Sequence, residues 1–131
     1  MKRISIKTGR RIELVDITSR VQEMVKEKGV ADGVCIVYVP HTTAGVTINE
    51  GADPSVARDM EVCLARLIPE KGDYKHLEGN SDAHMKATLA GSSQTIFVED
   101  GRLVLGTWQA IYFCEFDGPR SREVLVKVIA G

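Results

Sequence analysis

Ile4 and Ile6, then Ile12 and Leu14, alternate with polar residues on either side of Thr8-Gly9-Arg10, and this period of two predicts two strands joined by a turn. The period then lengthens. Val21, Met24 and Val25 form one apolar stripe of a helix that Thr18 or Ser19 can cap and Gly29 can end. Gly33 to Val39 is a continuous β-branched apolar run, the pattern of a central strand covered on both faces, and it delivers Pro40 and His41 at its end. Val46-Thr47-Ile48 predicts a short strand. Asp53-Pro54 starts a helix with an acidic cap and a proline in the first turn. Val56, Met60, Cys63, Leu64 and Leu67 fall on one face of that helix at helical spacing and are expected to be core. Pro69 to Gly79 is a loop. Asn80 or Ser81 then caps a short helix carrying His84, Met85 and Leu89 before Gly91.

The last third alternates again. Thr95 to Val98, the turn Glu99-Asp100-Gly101-Arg102 and Leu103 to Leu105 spell a hairpin. A strand through Phe116, the Asp117-Gly118-Pro119-Arg120 turn and a final strand from Val124 to Ile129 complete the chain. The order is ββα-ββ-αα-ββββ, without the regular alternation of a doubly wound sheet. It predicts one α+β domain over residues 1–131, with about three helices and a largely antiparallel sheet.

Composition narrows the function. A chain of 131 residues, 44% hydrophobic and 27% charged, buries a core without metal or disulfide scaffolding. A formal charge of −1, with no basic stripe interleaved with aromatics, argues against a nucleic-acid partner. Apolar runs such as Val34 to Val39 are too short to span a bilayer, and Met1 to Lys7 alternates like a strand rather than a signal peptide. Cys35, Cys63 and Cys114 are odd in number, widely spaced and apolar in context. They read as buried free thiols, so a cytoplasmic location is expected.

The three histidines carry the candidate chemistry: His41 in Pro40-His41-Thr42-Thr43-Ala44-Gly45, and His76 and His84 on either side of Asn80-Ser81-Asp82. Taken singly, each neighbour has an ordinary reading. Asn80 and Ser81 are helix caps, Asp82 complements the helix dipole, and Thr42 and Thr43 enter the next strand. Taken together with His41, they read as one site. Three neutral imidazoles plus a water or substrate oxygen is a catalytic-type zinc arrangement; magnesium would prefer carboxylates and water. Free N–H groups at the Asn80–Ser81 helix start suit a phosphate or carboxylate. Arg120 and Arg122 offer forked donors, although a solvated turn is their plainer reading. Glu50 is a candidate general acid/base or fourth ligand, with Asn49 beside it. Trp108 is expected in the core or an interface, and Gln109 could face the site from the same stretch.

His41 to Glu50 with Ala52-Asp53-Pro54, then Asn80 to Ala87, then Asp100 to Gln109 with Glu115, Asp117 to Arg120 and Arg122, resemble three successive signatures of the YjbQ family. The resemblance spans essentially the whole chain. It implies a compact α+β domain that assembles as a homotrimer, with polar sites near subunit boundaries. It also implies metal binding by residues matching His41, His76 and His84. Some members are described as having a secondary thiamine-phosphate synthase activity, joining a pyrimidine pyrophosphate to a thiazole phosphate with loss of pyrophosphate. The expectation is therefore a metal-dependent enzyme, zinc favoured, acting on a small phosphorylated metabolite. Glu50, Thr42 and Asp82 are its candidate catalytic groups; Thr43, Asn49, Asn80, Ser81, Gln109, Arg120 and Arg122 are its substrate contacts. A metal-assisted hydrolase and a non-catalytic trimeric binding protein are the alternatives.

Overall fold

In the computed structural model, which describes residues 1–131, eight strands and three helices follow one another in the predicted order. They are β1 (Lys2–Lys7), β2 (Glu13–Asp16), α1 (Thr18–Lys28), β3 (Gly33–Tyr38), β4 (Ala44–Glu50), α2 (Pro54–Leu67), α3 (Ser81–Ala90), β5 (Ser93–Glu99), β6 (Arg102–Leu103), β7 (Gln109–Glu115) and β8 (Ser121–Ala130). The strands form not one sheet but two, all of their pairings antiparallel. One has five strands in the order β1-β8-β3-β5-β6, the other three in the order β2-β7-β4. The chain is thus a single α+β domain, as its sequence pattern predicts.

Local chemistry accounts for most element ends. The Asp53 side chain accepts from Ser55 N–H at 2.9 Å, with Pro54 opening α2. α1 stops at Gly29, whose φ of 70° is open to glycine at no steric cost. Its start differs from the expectation: Thr18 lies inside the helix, and its hydroxyl donates to Asp16 and accepts from the N–H of Ile111. The hairpin between β5 and β6 turns at Asp100 and Gly101 with φ of 51° and 74°, the primed geometry that matches strand twist.

Packing corrects three expectations. β1 and β2 do not pair with each other: β1 runs along β8 and β2 along β7, so Thr8 to Ile12 is a crossover between sheets. The strand covered on both faces is β7 rather than β3. Ile111 and Phe113 face the main core; Ala110, Tyr112 and Cys114 face a smaller one beneath α2 and α3. β3 instead alternates, with Cys35 and Val37 inside and Tyr38 exposed. Finally, α2 buries no residue completely; Cys63 and Leu67 are exposed, while Ala57 and Leu64 pack on the smaller core. Period alone cannot distinguish a helix half-sunk on a sheet from one in the interior.

Candidate functional site

The main core is built of strand columns, side chains at every second position pointing inward, and several columns change chemistry at the same end. Ile4 and Ile6 are continued by Thr8, Ile111 and Phe113 by Glu115, Val126 and Val124 by Arg122, and Cys35, Val37 and Val39 by His41 and Thr43. Thr8, Thr43, Glu115 and Arg122 stay buried and are linked by hydrogen bonds, while His41 is half-buried. Arg122 forks onto Glu115, its Nε donating to Oε1 at 2.9 Å and its Nη2 to Oε2. Thr8 Oγ1 also donates to Glu115 Oε1 at 2.8 Å, and Asp117 N–H donates to Oε2 at 3.0 Å. Burial opposes ionisation of Glu115, but these donors outweigh it and hold its carboxyl below the usual range. Arg122 Nη2 reaches on to Thr43 Oγ1 at 2.8 Å, which anchors the His41–Thr43 segment.

Above this layer lies an open cavity of about 620 Å³. His41, His76, His84, Thr42, Thr43, Asn80, Arg120 and Arg122 all line it, so the structure brings together eight of the thirteen residues expected at the site. The rings of His76 and His84 meet edge to face with centroids 5.2 Å apart. Arg120 bonds Asp117 through Nε and Nη2, at 2.9 and 3.0 Å. Asn80 does not cap α3 with its side chain. Its Nδ2 donates to Asp117 Oδ2 at 2.9 Å, which fixes the amide orientation and leaves Oδ1 as a buried acceptor without a partner.

The imidazoles share a cavity but not a coordination sphere. No three His, Cys, Asp or Glu side chains stand close enough to hold one ion. The His41 ring is further held at Nε2, which lies 3.0 Å from the N–H and 3.2 Å from the carbonyl oxygen of Glu123. A neutral imidazole donates from one nitrogen and accepts at the other, and these two Glu123 contacts suit either tautomer. Burial, then the charge of Arg122, lowers the His41 pKa and favours this neutral form. A three-histidine metal centre does not fit this arrangement.

The other expected residues lie elsewhere. Asp82 is fully buried beneath the cavity, its carboxylate taken by Lys86 at 2.6 Å and Arg11 at 2.9 Å, and Ser81 is buried beside it. Burial disfavours the charge on Asp82, yet these two cations outweigh it and its pKa is lowered. Asp82 therefore supports the site from below instead of reacting in it. Glu50 and Gln109 pair at the far end of β4, six positions from Ala44, which is about 20 Å at the rise of a strand. Asn49 sits beside them, and Trp108 is exposed rather than in the core. Glu115, Arg11, Lys86 and Asp117 have no role legible from motif or spacing; the one signal in the sequence is polar Glu115 and Arg122 at inward positions of otherwise apolar strands.

Two packed antiparallel sheets flanked by helices define an α+β domain, with a polar cavity at one end of the core lined by histidines, arginines and the carboxylates of Glu78 and Asp117. A family model described as "UPF0047 protein YjbQ-like" matches residues 2–131, and the chain belongs to this YjbQ/UPF0047 family. A UPF0047 protein of Methanocaldococcus jannaschii is 58% identical over 124 residues, covering 95% of this chain and 90% of that protein. UPF0047 protein YugU of Bacillus subtilis is 49% identical over 130 residues, covering 98% of each. Among solved structures, an uncharacterised YjbQ/UPF0047 protein of Clostridium acetobutylicum superposes with a TM-score of 0.97 at 57% identity, covering 98% of this chain and 100% of that one. A YbjQ-like protein of unknown function from Sulfolobus solfataricus gives 0.95 at 34% identity, covering 99% and 96%.

Proposed function

We propose that the cavity binds the phosphate group of a small phosphorylated metabolite and that the protein is an enzyme acting on that compound. The observation carrying this reading is the convergence of three imidazoles, the Asn80 amide and two guanidinium groups on one polar cavity. Arginine nitrogens and imidazoles are strong donors to phosphoryl oxygens. Arg122 Nη1 is the guanidinium nitrogen left free once Glu115 and Thr43 have taken the other two, and Arg120 likewise keeps Nη1. His41 is held at Nε2 by the Glu123 backbone, which leaves Nδ1 as its uncommitted nitrogen. His76 and His84 are the groups able to take up and return a proton. No step in this scheme passes through a metal, and none needs Glu50.

Titration calorimetry with inorganic phosphate tests the binding half. Millimolar or tighter binding is expected, weakened about tenfold by His84→Ala and by Arg120→Ala. Absence of binding in wild type overturns the reading. The catalytic half calls for assays of pyrimidine pyrophosphate and thiazole phosphate coupling and of phosphomonoester hydrolysis. Turnover lost in His41→Ala supports an enzyme, whereas binding without turnover of any such compound supports a metabolite-binding protein. The homotrimer implied by the family resemblance is part of this proposal, and apolar side chains left exposed on the single chain support it, Phe97 at 68% and Leu89 at 60% among them.

A further inference from the structure

The phosphate cavity has a neighbour. A second open cavity of about 420 Å³ shares His41, Thr42 and His84 with it and is otherwise lined by Ala44, Ala87, Thr88, Gly91 and Ser92. The charges are divided sharply between the two. Arg120, Arg122, Asp117 and Glu78 all line the first, and none of the five residues peculiar to the second carries one. Helix α3 runs past both. Its start, at Asn80 and His84, borders the charged cavity; its end, at Thr88 and Gly91, borders the uncharged one. The partial charges of a helix are positive at the start and negative at the end, so the same helix favours an anion in the first cavity and disfavours one in the second.

We infer that the second cavity receives the uncharged body of the substrate, so that the compound this site takes is an organic phosphate with its negative charge confined to one end. This inference rests on the phosphate-binding reading above and adds the substrate class to it. The body compartment is walled by small side chains, which leaves room for a flat or compact group. Beside the two shared imidazoles its polar side chains are the hydroxyls of Thr42, Thr88 and Ser92, and Thr88 Oγ1 already donates to His84 O at 2.9 Å, which leaves it as an acceptor. His41 and His84 border both compartments, and the bond joining phosphate to body would lie beside them.

Three probes separate this inference from the reading beneath it: inorganic phosphate, phenyl phosphate and 4-carboxyphenyl phosphate, each titrated calorimetrically into the intact protein. Phenyl phosphate is expected to bind about tenfold more tightly than inorganic phosphate, and the carboxylated analogue to lose that gain. Ser92→Trp, placed on an exposed residue of the second cavity, is expected to remove the gain while leaving inorganic phosphate within about twofold. If inorganic phosphate binds but the phenyl group adds nothing, the body compartment is wrong and the phosphate site stands. A carboxylated analogue that binds as well as phenyl phosphate also overturns it, since an anion would then be accepted. If none of the three binds, both readings fall.

Discussion

Glu115 and Arg122 illustrate what one residue pair does here. Both are almost wholly buried, so neither charge is tolerable without the other, and removing one partner of such a pair typically costs about 3 kcal/mol or more. Glu115→Gln is therefore expected to lower unfolding free energy by about 3 kcal/mol in urea titrations at neutral pH. Its pH dependence has a definite sign. Because the folded carboxyl titrates below its ordinary value of 4.5, its contribution is present above that value and is lost as pH falls through it toward the folded pKa. Unfolding free energy should thus fall more steeply with acid in wild type than in Glu115→Gln, when measured from pH 6 down to about pH 3. Asp82 adds to the same loss, being lowered in the same direction by Lys86 and Arg11. An acid profile unchanged in Glu115→Gln would show that the pair does not stabilise the fold as its geometry suggests.

At the level of elements, β4 approaches the end of α3 closely near the site. A Cβ added at Gly45 would stand 2.6 Å from the carbonyl oxygen of Gly91, and that oxygen already accepts from Val46 N–H at 3.0 Å. Backbone cannot swing aside as a side chain can. Gly45→Ala is expected to cost about 1–3 kcal/mol in urea denaturation, and a neutral result would mean that α3 shifts freely. The existence and order of the elements were legible from periodicity, the Asp53-Pro54 cap and the Asp100-Gly101 turn, because those signals are local. Their partners were not legible. Nothing between Lys7 and Glu13 says that the two strands it joins belong to different sheets, and Val34 and Ile36 are as apolar as Cys35 and Val37 although they face outward. The candidate site divided in the same way. The motifs His41–Thr43, Asn80–His84 and Arg120–Arg122 met in one cavity, while Glu50, Asn49 and Gln109, equally prominent in sequence, lie a strand's length away.

For the whole molecule, the proposed trimer draws its support from exposed apolar surface. Trp108 is 64% exposed and Phe97 68%, large apolar groups that a solitary chain would leave in water. Sedimentation velocity is expected to give the mass of three chains, and a monomer at micromolar concentration would remove the trimer from the proposal. No helix is long and apolar enough to cross a membrane. The polar terminations of the core columns have one more consequence. Were β8 to pair one place out of step, Arg122 would turn outward and Glu115 would be sealed inside with no counter-charge. Such a misassembled chain would carry an unpaired buried charge, so the Glu115–Arg122 pair under the cavity also proofreads the folding that creates it.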